Sequence, residues 1–439
     1  MRVLLTGASG YVGGRLLPVL VREGFGVRCL ARRPERLLGR VPAEVEVSRG
    51  DVLEVPSLAG AMAGVERAVY LVHSMGGSGD FTEADRSGAQ NFGAAARAAG
   101  VRSIVYLGGL GEQASDLSPH LRSRQEVGDV LRASGVPVVE LRASVILGSG
   151  SLSFEMLRAL VERLPVMVTP RWVRVPTQPI AIEDVLAYLL AALRLETCVS
   201  RVFEIGGCDV VSYGDLMREY ARQRGLRRFM IPVPVLTPRL SSLWLGLVTP
   251  LYARVGRKLI DSIRHPTIVL DRAALAEFAV RPIGMREALQ RALADEDTEV
   301  ARTRWADSLP ASGRGWGGAR LGNRRVDSRG VTVAASPAAV FAALERTGGE
   351  KGWRVQERES GRVLLAAEPG RAGRAWLALE ARPVQGERET EIRLTSIFDP
   401  LGLGGILHWH ATRRVRRRAL SQMLRGLADR AVVEAGIRP

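Results

Sequence analysis

The chain has 439 residues, 46% of them apolar and 25% charged, with a formal net charge of +16 at neutral pH. A length beyond the ~250–300 residues that one hydrophobic core serves predicts two domains, and the apolar content excludes wholesale disorder and a small stapled scaffold. Cys29, Cys198 and Cys208 have no CxxC spacing, which excludes a disulfide framework and a structural zinc site; no metal ligand set is assigned, and a cytoplasmic location is expected.

The basic residues are almost all dispersed arginines, so no nucleic-acid partner is expected. Lys258 and Lys351 are the only lysines, which leaves the first half of the chain without a Schiff-base, P-loop or proton-relay lysine.

In chain order, Arg2 to Thr6 predicts a short buried strand, and Gly7, Gly10 and Gly13 punctuate the turn into a helix carrying Val12, Leu16, Leu17 and Leu20. Glycines at that turn let the backbone approach a pyrophosphate, while helix N–H groups offset its charge. The next strand, Val27 to Leu30, ends in Ala31-Arg32-Arg33. Where an NAD site presents a carboxylate to the adenine ribose, two guanidinium groups suit the 2′-phosphate of NADP, so NADP(H) is preferred over NAD(H). Further strands are predicted at Val45 to Ser48, Ala68 to Val72, Ser103 to Leu107 and Val138 to Leu141, with helices between them. The expected fold is α/β, a doubly wound parallel sheet.

Thr6 to Gly13, Gly50-Asp51-Val52 and Pro179 to Val185 together resemble the atypical, extended short-chain dehydrogenase/reductase superfamily, over roughly the first two-thirds of the chain. Leu164 to Val185 and the C-terminal extension resemble its nucleoside-diphosphate-sugar-epimerase-like members that carry a START-like domain. The resemblance implies Gly7, Ser9, Gly10, Tyr11, Val12 and Gly13 around the pyrophosphate and Arg32 with Arg33 at the 2′-phosphate. Asp51 and Val52 would lie against the adenine, and Leu71, Val72, His73 and Ser74 beside the ribose and nicotinamide.

The superfamily's serine, tyrosine and lysine are not present as a set. Gly108 and Gly109 stand where serine is expected, His120 in tyrosine's place and Arg124 in lysine's. The reading places the nicotinamide near Gly108, His120 and Arg124. Histidine can exchange a proton near neutral pH, whereas arginine can anchor the ribose but not relay protons. Trp172, between Arg171 and Arg174, falls in the region that forms the substrate lobe in the superfamily.

The apolar run Leu240 to Ala253 is too short for a membrane span and reads as a buried or partner-facing helix, with peripheral membrane contact as the alternative. Expected domains are residues 1–297 for cofactor and substrate, a linker at 298–330 rich in Ser, Gly and Arg, and an α+β domain at 331–439. In the last, strands at Val363 to Ala367, Ala375 to Glu380 and Glu391 to Ser396 precede a helix from about Thr412 to Glu434. The pattern resembles a START-like helix-grip domain, incomplete around Gly348-Gly349. His408 and His410 would share a face if extended. The function read is an NADP(H)-dependent oxidoreductase of a small apolar substrate. A non-catalytic NADP(H) sensor that binds a partner and a membrane-surface lipid or quinone carrier are the alternatives.

Overall fold

A computed structural model describes residues 1–37, 41–73, 81–111, 118–233, 265–299, 320–321, 324–345, 352–359, 362–368, 370, 372–383 and 389–434. Ser74, Leu240 to Ala253, Gly313 to Gly318 and Gly348-Gly349 lie outside them. The chain divides into two compact units, Met1–Leu157 with Val166–Asp295, and Arg158–Pro165 with Glu296–Pro439.

The first unit is built on a seven-stranded parallel sheet. Its strands are β1 (Arg2–Thr6), β2 (Gly26–Ala31), β3 (Glu46–Arg49), β4 (Arg67–Tyr70), β5 (Ser103–Gly109), β6 (Val138–Ala143) and β11 (Arg201–Ile205), in the order β11-β6-β5-β4-β1-β2-β3. Short pairs accompany it: β7 (Ile146–Leu147) with β10 (Ile180–Ala181), β8 (Val166–Thr169) with β13 (Phe229–Pro232), and β9 (Pro176–Thr177) with β12 (Val211–Ser212). Parallel strands need crossovers, and α1 (Tyr11–Arg22), α2 (Val55–Met62), α3 (Phe81–Ala98) and α4 (Pro119–Ala133) run between strands of the sheet. Of the other helices, α5 (Leu152–Arg163) follows β7, α6 (Ile182–Arg194) leads into β11 and α7 (Tyr213–Gln223) follows β12.

Strand alternation makes two cores. Val3, Leu5, Val105 and Leu141 meet Leu16 and Leu20 of α1 and Val185 and Leu189 of α6 on one face. Leu4, Ile104, Tyr106 and Val138 meet Leu58 of α2, Phe92 of α3 and Leu131 of α4 on the other. The strand order reverses between β1 and β4, so the connections diverge there and a crevice opens at the carboxyl ends. Across that point Thr6 Oγ1 donates to the Val69 carbonyl at 3.0 Å and accepts the Leu71 N–H at 2.9 Å.

The second unit holds an antiparallel sheet ordered β14-β15-β19-β18-β17-β16. The strands are β14 (Arg320–Leu321), β15 (Arg324–Val333), β16 (Trp353–Glu359), β17 (Arg362–Ala367), β18 (Gly373–Pro383) and β19 (Thr390–Pro400). Val363, Leu365, Leu377 and Leu379 pack against Val340 of the helix Pro337–Glu345 and against Leu420, Leu424 and Leu427 of the helix Arg413–Glu434. The C-terminal helix starts one residue later than the sequence pattern predicts, after a separate helix at Gly402–Ala411. His408 and His410 are therefore helical, and a two-residue step turns them by ~200° instead of placing them on one face.

Candidate functional site

The phosphate-binding turn follows from three local constraints. Gly7 has φ of +68°, a backbone conformation that favours glycine. A Cβ on Gly13 would lie 2.3 Å from the Gly7 carbonyl oxygen, so only glycine lets the first turn of α1 close on the end of β1. The N-cap, Gly10, has no side chain to cap the helix, which leaves the first-turn amides to be met by something other than a cap. These features fit a dinucleotide pyrophosphate. Behind the turn Arg15 lies over the Tyr11 ring and donates to the Ser149 carbonyl at 2.6 Å. A Cβ on Gly148 would lie 2.3 Å from the Tyr11 hydroxyl, so that glycine makes room for the brace.

Arg32 and Arg33 follow β2 directly and are exposed, with no ion-pair partner among the described residues. Asp51 follows β3 and its Oδ1 accepts the Leu53 N–H at 3.1 Å, while the Val52 carbonyl accepts Asn91 Nδ2 at 3.0 Å. Leu71, Val72 and His73 continue from β4 at the switch point, and Gly108 is the next-to-last residue of β5. A Cβ on Gly109 would meet Leu121 Cδ2 at 3.0 Å. The serine position is thus occupied by the packing of α4 against the strand end.

Beside this crevice three side chains form one hydrogen-bonded chain. His73 Nδ1 is 3.0 Å from Asp85 Oδ2, and His73 Nε2 is 3.1 Å from His120 Nδ1. Asp85 is 3% exposed and His73 9%, so the carboxylate and first imidazole are withdrawn from water while His120, in the first turn of α4, is half-buried. Ser123 Oγ adds a donor to Asp85 Oδ2 at 3.3 Å. An ionised Asp85 accepts the Nδ1 proton of His73. With its proton on Nδ1, His73 has Nε2 left to accept from His120 Nδ1.

Two tyrosines nearby, Tyr70 and Tyr106, are buried in the core beneath α3 and α4. Burial pushes the Tyr70 and Tyr106 hydroxyls well above the ordinary phenol range, with the Asp85 charge raising Tyr70 further. Tyr106 also donates its hydroxyl to the Arg124 carbonyl at 2.8 Å. Arg124 is one helical turn beyond His120; its guanidinium donates to the Leu107 carbonyl and lies 5.8 Å from the Tyr106 ring centroid. Trp172 sits edge-on to Tyr213 at 6.3 Å, away from any residue of the hydrogen-bonded chain in sequence.

A second ionisable cluster packs under α4. Glu140, fully buried on β6, pairs with Arg132 of α4 and accepts Arg142 Nε at 2.8 Å. Gly128 admits it: a Cβ there would lie 2.5 Å from Glu140 Oε2.

Asp85, Ser123 and Glu140 are absent from the residues expected from sequence. Asp85 was signalled by phase, because it shares the buried stripe of α3 with Ala89, Phe92 and Ala96. Glu140 was signalled by a carboxylate two residues before Arg142 in an otherwise apolar strand.

The NAD(P)H-binding family model matches residues 7–151. A (4-alkanoyl-5-oxo-2,5-dihydrofuran-3-yl)methyl phosphate reductase of Streptomyces griseus is 32% identical over 231 residues, 51% of this chain and 74% of the relative. A ceramide reductase of Caulobacter vibrioides is 30% identical over 239 residues, 53% of this chain and 73% of the relative. Among solved structures, Citrobacter triphenylmethane reductase complexed with NADP(H) aligns with a TM-score of 0.55 at 19% identity, covering 66% of this chain and all of that one.

Proposed function

The chain belongs to the NAD(P)H-binding family of reductase-like proteins, and from that premise we propose that it is an NADP(H)-dependent oxidoreductase that reduces a carbonyl group on a small apolar compound. The observation that carries this reading is the Asp85–His73–His120 chain at the carboxyl end of the sheet, where the glycine turn opens. The ceramide named for one relative and the alkanoyl group, on a phosphate ester, named for the other support a substrate with an apolar portion.

In this reading Gly7, Ser9, Gly10, Tyr11, Val12 and Gly13 hold the pyrophosphate, and Asp51 and Val52 meet the adenine. Arg32 and Arg33 receive the 2′-phosphate, which favours NADP(H) over NAD(H). Leu71, Val72, His73, Ser74, Gly108 and Arg124 border the ribose and nicotinamide. When bound, NADPH supplies the hydride that adds to the carbonyl carbon.

As the carbonyl π pair moves onto oxygen, the His120 imidazolium gives that oxygen its Nε2 proton and becomes neutral, with its Nδ1 proton directed at His73. The Asp85 carboxylate fixes the His73 tautomer and, through it, orients the His120 ring before transfer. Arg124 contributes fixed positive charge and no proton.

Residues 1–297 carry cofactor and substrate in this reading, 298–330 connect, and 331–439 form a START-like helix-grip domain. The helix Arg413–Glu434 across one face of an antiparallel sheet supports the last assignment.

The test is a titration with NADPH and NADH followed by cofactor fluorescence. Arg32→Ala should weaken NADPH about tenfold or more, the scale of a lost charge-assisted hydrogen bond, and leave NADH nearly unchanged. Binding of neither cofactor by the unaltered protein would remove the basis of the proposal.

A further inference from the structure

Outside the nucleotide site, the most unusual surface lies where the helix Gly402–Ala411 meets the helix Arg413–Glu434. The first helix is held to the sheet on one side. A Cβ on Gly405 would lie 2.2 Å from the Ala372 carbonyl oxygen, and Trp409 stacks on Phe398 with ring centroids 5.4 Å apart and planes at 12°. Arg416 folds back over Trp409, with its guanidinium carbon 3.2 Å from the ring centroid and Nη1 donating to the Trp409 carbonyl at 3.0 Å. The junction is thereby a fixed structure. The Thr412 N–H bonds the His408 carbonyl at 2.9 Å and the Arg416 N–H bonds the Thr412 carbonyl at 2.9 Å, so helical spacing runs on through the turn.

What this scaffold presents to water is apolar and basic together. Leu403 and Leu407 are one turn apart and exposed, Leu407 by 70%, and Val415 is 72% exposed. Arg413, Arg414 and Arg418 beside them are exposed and make no ion pair among the described residues. No aspartate or glutamate occurs between Asp399 and Asp429, so nothing within that stretch offsets the arginines.

Each half of this pattern restricts the partner. Nucleic acid would pair with the guanidinium groups but leave three large apolar side chains in water. A neutral apolar groove would accept the leucines but gain nothing from the arginines. The boundary between acyl chains and anionic headgroups accepts both. No helix among the described residues is long and apolar enough to cross a membrane, so the contact is one of docking. We propose that this junction binds an anionic lipid surface, with Leu403, Leu407 and Val415 entering the headgroup–acyl boundary and Arg413, Arg414 and Arg418 pairing with lipid phosphates. This surface is independent of the nucleotide site and does not depend on the reaction proposed for it.

The experiment is sedimentation of the full chain with phosphatidylcholine vesicles, with and without about a third phosphatidylglycerol, at low and high salt. Binding is expected to the anionic vesicles at low salt and to fall steeply as salt rises. Replacing Arg413, Arg414 and Arg418 together with Gln should weaken it about 100-fold, roughly fivefold per arginine. Leu407→Asp should weaken it about tenfold, because it removes one apolar side chain that docking would bury and adds a charge of the same sign as the lipid surface. Both variants alter exposed side chains only, so their melting temperatures should match the parent's. Equal sedimentation with neutral and anionic vesicles, or an arginine variant that binds like the parent, would overturn the proposal. So would binding to duplex DNA that is lost with the arginines while Leu407→Asp leaves all binding intact, which would assign the arginines to nucleic acid.

Discussion

Two clusters of ionisable side chains pack beneath α4, and they differ in how they end. Around Glu140 the network closes, because one carboxylate oxygen meets Arg132, the other meets Arg142, and Gly128 leaves space for the carboxylate against the helix. From Asp85 the network runs outward through His73 to the half-buried His120, at the carboxyl end of the sheet where the connections of β1 and β4 diverge. Both bury charge, which costs stability unless it is paired. The Glu140 cluster ties α4 to β6, while the Asp85 chain brings a half-buried imidazole to the crevice.

The sharpest way to break this comparison is to remove one member of each. His120→Ala is expected to lower kcat about 10²–10⁴-fold, the usual contribution of a positioned proton donor, with the melting temperature little changed. NADPH oxidation coupled to product formation that persists in this variant would end the role given to His120. Glu140→Ala should do the reverse. Stripping the buried partner from two arginines should cost about 3–5 kcal/mol in urea unfolding, and cofactor affinity under native conditions should be retained.

A smaller effect is expected two steps back along the Asp85–His73–His120 chain. Asp85→Asn keeps a hydrogen-bonding group beside His73 but removes the charge, so kcat should fall about tenfold with KM nearly unchanged. A matching loss in KM would indicate that Asp85 shapes the pocket instead of supporting the proton donor.

The smallest effect concerns an ion pair outside both clusters. Hydrogen bonds from Arg222, then from Gln223, lower the Glu219 carboxyl from 4.5 to about 2. Because the folded value is depressed, the stabilisation is fully present above the ordinary carboxylate range and is lost as pH falls toward about 2. The stability difference between the parent and Glu219→Gln should therefore shrink across that acid window and be absent below it. A difference that persists there would assign Glu219 a packing role.

Local periodicity made most of the first unit's strands legible, since β5 and β6 are short buried runs between breakers. The glycine turn was legible because its constraint is local, and the arginines after β2 because their distance from it is set by one βα unit. His73 and His120 were each visible as residues, but 47 positions separate them and only the register of β4 with β5 brings them together. Asp85 needed that tertiary partner as well. In the second unit the strands β17, β18 and β19 were visible from alternation, whereas the break at Thr412 was not, because helical hydrogen bonding continues across it.

Gly128 gives the comparison a mechanical side. It lies two helical turns beyond His120 on the same helix, and its missing side chain lets α4 settle over Glu140. A methyl group at 128 would wedge the helix off the sheet, and a rigid helix transmits such a lift along its length. The spacing between the two imidazoles is accordingly gauged from inside the sheet and not from the crevice wall.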